Sequence, residues 1–446
     1  MSEVIILGAG PAACLLGIAL VRHGIRATLI GRLRPTVAVE GLSHRVADGL
    51  RQAGCTAATA LLGPQWKRVS CWAGANIEMN GEFAVDRRVL DAALIEDARR
   101  AGCELHMGTV RGLTHVAEGC WVVHWESPEG QQRTASSPLV VECRGSTAPK
   151  VAADRHISYE LVALCRTFEG AIPQPRTTMI ESFREGWAWG GGDGHGAAHV
   201  QIVTLPARVS AAEGGLERIH TAGLDALEHF PSRFGRLLRP AGPVRVRGIR
   251  PTLRGVASSV DYLRVGDAAY MVDPLSGHGM FEAISGALAA APVVNTLLRR
   301  PDARDSALKF FESRMEAVFG ARSRAAYEHY LSETRWPGSA FWQAVTRSPG
   351  HASTEASPSP RFERRPVVED GFIEERWVAV TPDAARGVRF VEGVDLFPLA
   401  ELIRSSHRPP CIADLARQLC HPPPSIGSAW CWLQERDLVA HALAGV

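Results

Sequence analysis

The sequence predicts an α/β protein: a parallel nucleotide-binding domain, an antiparallel sheet inserted into it, and a small α+β, winged-helix-like domain at the C-terminus. Three stretches carry this expectation. From residue 4 the chain reads "VIILGAGPAACLLGIALVRHGIRATLIG", a strand, Gly-rich turn, helix and second strand, which is one right-handed βαβ unit. Between about 155 and 205 the texture shifts to long alternating segments, "TTMIESFREGWAWGGG" and "AAHVQIVTLP", which fit antiparallel strands. Late in the chain "YLRVGDAAYMVDPLSGHGM" supplies another apolar strand, a loop and a helix start, so the first domain is discontinuous.

Within the first unit "GAGPAA" follows a strand and opens a helix, the setting in which a G-x-G-x-x-G/A pattern is informative. Gly8 makes the turn, Gly10 lets a pyrophosphate approach the helix start at Pro11 and Ala12, and Ala13 permits close helix packing. The acid that often ends the second strand is missing; Gly31 and Arg32 stand there, so ribose recognition falls to them or to backbone. Next come an amphipathic helix with a strand, "VDRRVLDAALIEDARRAGCELH", and the apolar strand "PLVVECRG". Trp187 and Trp189, two apart on a strand, share one face. A Ser- and Pro-rich stretch reads as a linker, and beyond it two short strands, "RWVAV" and "VRFVEGV", precede three helical segments. The expected boundaries are 1–154 and 256–345 for the first domain, 155–255 for the sheet domain, 346–368 for the linker and 369–446 for the last domain.

With 446 residues the chain is too long for one core. A net charge of +2 argues against nucleic acid as a partner, since a phosphate-binding face needs an excess of Lys and Arg. The ten cysteines lack paired spacing, which suggests reduced thiols and a cytoplasmic setting, and no C-x2-C pair anchors a metal among Cys411, Cys420, Cys431, His407 and His421. No run of about 18 apolar residues is read as a membrane span.

Taken together, "GAGPAA", "VDRRVLDAAL" and "VGDAAYMVDPLSGHGM" resemble the FAD-binding elements of the p-hydroxybenzoate hydroxylase type of flavoprotein. The resemblance implies a Rossmann-like FAD-binding domain with an inserted substrate sheet. It also implies Gly266 and Asp267 at the ribityl chain, and Pro274, Gly277, Gly279 and Met280 beside the isoalloxazine. Arg87 and, in "VEGLSHRVADGLRQAGC", Arg45 become candidates for holding FAD.

The helix segment "VEGLSHRVADGLRQAGC", the "GWAWGGG" strand and "DPLSGHGM" look most like the branch with tryptophan halogenases. "GWAWGGG", however, has glycines where halogenases resemble W-x-W-x-I-P, and Lys67 in "GPQWKRVSCW" is the one candidate for their tunnel lysine. The branch also holds monooxygenases that hydroxylate a tryptophan of a partner peptide or small protein subunit during tryptophylquinone biogenesis, and the chain resembles the type that matures quinohaemoprotein amine dehydrogenase. That likeness implies reduced FAD and O2 forming a C4a-hydroperoxide that the indole attacks, with NAD(P)H or a separate reductase as electron source. His278 is then the candidate base with Asp273 behind it, and Trp187 and Trp189 stack the indole. A halogenase, or an FAD-loaded maturation chaperone without catalysis, is the alternative.

Overall fold

The computed structural model describes residues 2–35, 37–157, 159–170, 172–192, 196–210, 214–235, 239–255, 258–347, 358–406 and 410–439. The chain divides into two compact units, Met1–Arg299 with Phe311–His351, and Arg300–Phe310 with Ala352–Val446.

The first unit is organised on a six-stranded sheet in the order Ser258–Ser259, Tyr262–Arg264, Leu139–Glu142, Val4–Leu7, Ala27–Gly31, Glu104–Met107. All neighbours are parallel except the Ser258–Ser259 hairpin. Val4–Leu7 and Ala27–Gly31 are buried at every position, which is why they read as continuous apolar runs and not as alternation. Tyr262–Arg264 pairs with Leu139–Glu142, so a strand from the last third of the unit completes the sheet begun at its start.

A second sheet has nine strands, in the order Arg239–Pro240, Leu161–Glu169, Ala197–Thr204, Gly186–Gly192, Thr177–Phe183, Trp66–Trp72, Ala75–Asp86, Val39–Leu42, with Arg245–Ile249 also pairing Leu161–Glu169. Three of these strands come from residues 39–86, ahead of the segment expected to hold the sheet. The joint is the parallel pairing of Trp66–Trp72 with Thr177–Phe183, a contact across about a hundred residues that local periodicity cannot report. A three-stranded antiparallel sheet over 109–137 was not anticipated either. Its Val123 and Trp125 pack with Ile5, Leu7, Ile30 and Val140, so a meander covers one face of the parallel sheet where a crossover helix is the usual cover.

The helix Gly279–Arg299 is long and apolar enough to cross a membrane by composition, contrary to the reading of the sequence. Two thirds of it, 67 %, is buried inside the protein, and it packs against the helix Pro11–Arg22 as a core element.

Glu333, at the end of the helix Arg304–Ser332, ties the nine-stranded sheet to its surroundings. Its carboxylate accepts from Ser182 Oγ at 2.6 Å, Ala73 N at 2.9 Å and Arg335 N at 3.0 Å, and pairs with Arg335 at 2.7 Å. Burial opposes its ionisation, but Arg335, Ser182 and the two amides outweigh that and bring its pKa down to about 2. A depressed carboxylate contributes stability above its ordinary pKa of 4.5, which is lost as pH falls toward 2. Glu333→Ala leaves Arg335 unpaired and two donors unsatisfied; we expect a loss of about 3 kcal/mol near neutral pH, read as a lower Cm in urea.

In the second unit three antiparallel strands, Arg361–Glu369, Phe372–Thr381 and Ala384–Val388, and a hairpin over 390–395 precede the helices Leu396–Ser405, Ile412–Leu419 and Pro423–Gln434. The core is Ala379, Leu399, Leu415, Ile426, Trp430 and Leu433. Asp395 caps the first helix by accepting from Phe397 N at 3.2 Å. Part of the expected linker is thus a strand. "RFERRPVVE" hides its alternation behind three arginines and a proline, and pairs along its whole length with Phe372–Val380. Residues 348–357 and His407 lie outside the described residues.

Candidate active site

The carboxyl ends of three parallel strands converge with backbone against backbone. A Cβ on Gly8, whose φ is +131°, would sit 2.5 Å from the Cys143 carbonyl oxygen, and a Cβ on Gly31 would sit 2.5 Å from the Gly8 carbonyl carbon. No side chain caps the helix that follows at Gly10, so its first N–H groups face an open space. That space is a cavity of about 560 Å³ lined by Gly8, Gly10, Pro11, Ala12, Gly31 and Arg32 among others. Ala13 is fully buried behind the turn.

Arg87 reaches this cavity from below. It is buried, donating to Glu40 at 2.8 Å and Asp91 at 3.0 Å. Burial disfavours its charge, but the two carboxylates outweigh that and hold its pKa above the ordinary value. Asp267 lies deep among protein atoms, yet its carboxyl opens into the cavity. Its pKa is pushed up to about 6, first by burial and then by Glu40. Gly266 does not line the cavity; a Cβ there would lie 3.1 Å from Ala12 Cβ, so the glycine lets the loop approach the first helix, and Asp267 alone of the pair faces the open space.

A second cavity of about 460 Å³ shares Glu40, Asp267, Arg247, Gly279 and Met280 with the first. Its floor is the loop carrying Pro274 and Gly277, and its wall is the nine-stranded sheet with Trp187 and Trp189 side by side, Ala188 between them facing the opposite core. Trp187 is held: its Nε1 donates to Tyr330 Oη at 3.2 Å, Tyr330 donates to Asp273 at 3.2 Å, and Tyr159 donates to the same carboxyl at 2.7 Å.

Four expected residues fall elsewhere. Lys67 shares a strand face with the core residues Val69 and Cys71, so it points away from the cavity, where its Nζ meets Glu78 at 3.6 Å at an exposed position. Arg45 is exposed on the helix His44–Gln52 and lines neither cavity. His278 lines neither cavity; its ring lies 6.4 Å from that of Phe281, and burial, then Arg322, lowers its pKa. Asp273 is a buried anchor, not a cavity residue: besides the two tyrosines it accepts from Leu275 N at 2.8 Å, capping the turn Pro274–Ser276, and burial raises its pKa.

Reading the sequence missed Arg68, Tyr159, Tyr330 and Arg247. For Arg68 the signal was present. In "WKRVSCW" the residues in phase with Val69 and Cys71 face the core, which leaves Arg68, next to Lys67, on the cavity side. Its Nη2 lies 3.5 Å from the place a Cβ on Gly277 would take. Tyr159 and Tyr330 come from segments 171 residues apart in number, and nothing local pairs them.

The glycine cradle, the uncapped helix start, and a carboxyl facing the joined cavities fit a dinucleotide whose pyrophosphate lies at Gly10 and whose remainder extends past Asp267. The FAD binding domain family matches residues 1–160. The chain is 32 % identical to the peptidyl tryptophan dihydroxylase QhpG, essential for tryptophylquinone cofactor biogenesis; the alignment covers 98 % of this chain and all of that one, with a TM-score of 0.80. CmlS, a flavin-dependent halogenase, has the same fold at a TM-score of 0.79 and 18 % identity, over 98 % of this chain and 95 % of that one. Digeranylgeranylglycerophospholipid reductase 2 of Methanopyrus kandleri is 26 % identical over 71 % of this chain and 83 % of its own length. Fold and site together define an FAD-dependent monooxygenase with the p-hydroxybenzoate hydroxylase architecture. Within that class the chain belongs to the family of the dihydroxylase QhpG.

Proposed function

We propose that this enzyme hydroxylates a tryptophan side chain carried by a peptide or small protein, as a step in building a quinone cofactor. The observation that carries this reading is the second cavity. Its aromatic wall stands over the Pro274–Gly277 loop, it continues into the FAD cavity, and it belongs to a chain 32 % identical to a peptidyl tryptophan dihydroxylase. Bound reduced FAD supplies the activation of O2. Gly8, Gly10, Pro11, Ala12, Gly31, Arg32, Arg87 and Asp267 hold the cofactor, and Pro274, Gly277, Gly279 and Met280 bring backbone and small side chains to its ring. Trp187, nearly buried and fixed through Tyr330, backs the wall, and the more open Trp189 beside it presents the face on which an indole stacks and from which water is displaced.

Halogenation is disfavoured by two features. Lys67 points outward, and Gly191 and Gly192 stand where the W-x-W-x-I-P motif has Ile and Pro, with a Cβ on Gly192 already falling 2.9 Å from Ile172 Cγ2. Incubation of the FAD-loaded enzyme with NAD(P)H, O2 and a tryptophan-bearing client is expected to add one or two oxygen atoms to the client, read by intact mass and fragment spectra. A halide-dependent gain of chlorine would restore the halogenase, and an unmodified client would favour an escort without catalysis.

A further inference from the structure

The nine-stranded sheet ends in Val39–Leu42 on one side and in Arg245–Ile249 on the other, and both ends line one cavity: residues 39–41 and 247–250 all border the space beneath Trp187 and Trp189. The sheet therefore curls until its two terminal strands face the same opening. Arg245–Ile249 pairs with Leu161–Cys165 alone among the described strands, and Arg245, Val246, Arg247 and Gly248 are exposed. It is a short, uncovered edge with a row of backbone donors and acceptors directed outward.

The side chains along that edge are sorted by face. Arg247 opposes Ala163, and both line the cavity, so Ile249 and Arg245, in phase with Arg247, project to the same side. Arg250 is already engaged, with Glu160 at 2.8 Å. The side chains of Arg245 and Arg247 make no hydrogen bond or ion pair with any described residue; Arg247 also faces the first cavity, where its charge acts on Asp267, so Arg245 is the cation left for a ligand beside the opening.

Building on the peptide hydroxylation reading, we propose that the tryptophan-bearing segment of the client docks as an extended strand added to the Arg245–Ile249 edge. Main-chain hydrogen bonds supply the affinity, and the period of two supplies the specificity. With the indole opposite Ile249 or Arg247 and directed into the cavity, side chains two or four residues away point toward Arg245, while odd-numbered neighbours point away. The partner chemistry this selects is an extended acidic segment, with Asp or Glu at even spacing from the tryptophan.

The test uses the FAD-loaded enzyme and two synthetic peptides, each with a single tryptophan: one carries glutamate two and four residues to either side, the other glutamine there. Amide hydrogen exchange over 245–249 is expected to slow when the glutamate peptide is added. That peptide should have a KM about fivefold lower than the glutamine peptide. Arg245→Glu, at a position that lines neither cavity, should erase the preference while leaving the FAD content and the KM of the glutamine peptide unchanged. Oxygenated peptide with unaltered exchange over 245–249 and an indifferent Arg245→Glu variant would overturn the docking mode and leave hydroxylation standing. Amide protection over 245–249 that depends on Arg245, without oxygenation of either peptide, would do the reverse.

Discussion

Gly31→Val is expected to give a protein that purifies without FAD. The first β-carbon alone would lie 2.5 Å from the Gly8 carbonyl carbon, 2.6 Å from Ala9 N and 2.9 Å from Ala9 Cβ. Two of those atoms are backbone of the turn proposed to cradle the pyrophosphate, so no rotamer change relieves the clash. Relief requires the strands Val4–Leu7 and Ala27–Gly31 to separate at their carboxyl ends, which opens the turn. Overpacking of this kind costs up to about 3 kcal/mol, and here that strain falls on the cofactor cradle. The flavin-to-protein absorbance ratio reads the loss, and far-ultraviolet circular dichroism separates it from failure to fold. A variant that retains stoichiometric FAD would mean the dinucleotide does not lie on this turn.

Asp267 sets the expected pH dependence of cofactor retention. In the FAD-free protein its carboxyl has a pKa near 6, raised first by burial and then by Glu40. With the ribityl chain placed at Asp267 as proposed, its hydroxyls would donate to the ionised form, so binding would favour the carboxylate and protons would compete with FAD. Affinity should therefore be flat above about pH 6 and fall by up to about tenfold per pH unit below it. The sign for stability of the FAD-free protein is opposite. A carboxyl whose folded pKa is raised contributes stability below its ordinary value of 3.8, and this is lost as pH rises through about 6. Asp267→Asn should flatten the FAD-binding profile and weaken binding at pH 8 by roughly 10- to 100-fold, the range for a hydrogen bond to a charged group. Fluorescence titration of released flavin across pH 5–8 measures both. An unaltered pH profile in the Asn variant would place the titrating group elsewhere.

How much of this was legible beforehand differs by element. The βαβ start and the return strand at Tyr262 were readable because buried parallel strands and their glycine turns leave continuous apolar runs and fixed punctuation. The place of residues 39–86 in the sheet was not readable: they pair among themselves, but Trp66–Trp72, which joins them to the rest, pairs with Thr177–Phe183 far along the chain. In the site, glycines were the legible part: the strand–turn–helix pattern marks Gly8 and Gly10, although the backbone that Gly8 meets, at Cys143, and that Gly31 meets, at Gly8, comes from other strands. Direction was the illegible part. Lys67 and Arg68 are adjacent, and a register of one decides which enters the cavity. His278 stands between Gly277 and Gly279, which both line the opening, yet it does not line it itself. Asp273 looked like a partner for that histidine on spacing alone, whereas its partners, Tyr159 and Tyr330, arrive from remote segments.

The carboxyl of Asp273 touches two parts of the cavity at once. Through Tyr330 it sets the Nε1 of Trp187 in the wall, and through Leu275 N it caps the turn under Pro274 in the floor. A ligand that presses on the wall and a ligand that rests on the floor are therefore read through one shared set of hydrogen bonds, and linkage between two sites is reciprocal. Whatever factor FAD contributes to the fit of the proposed client, that client must return to the retention of FAD.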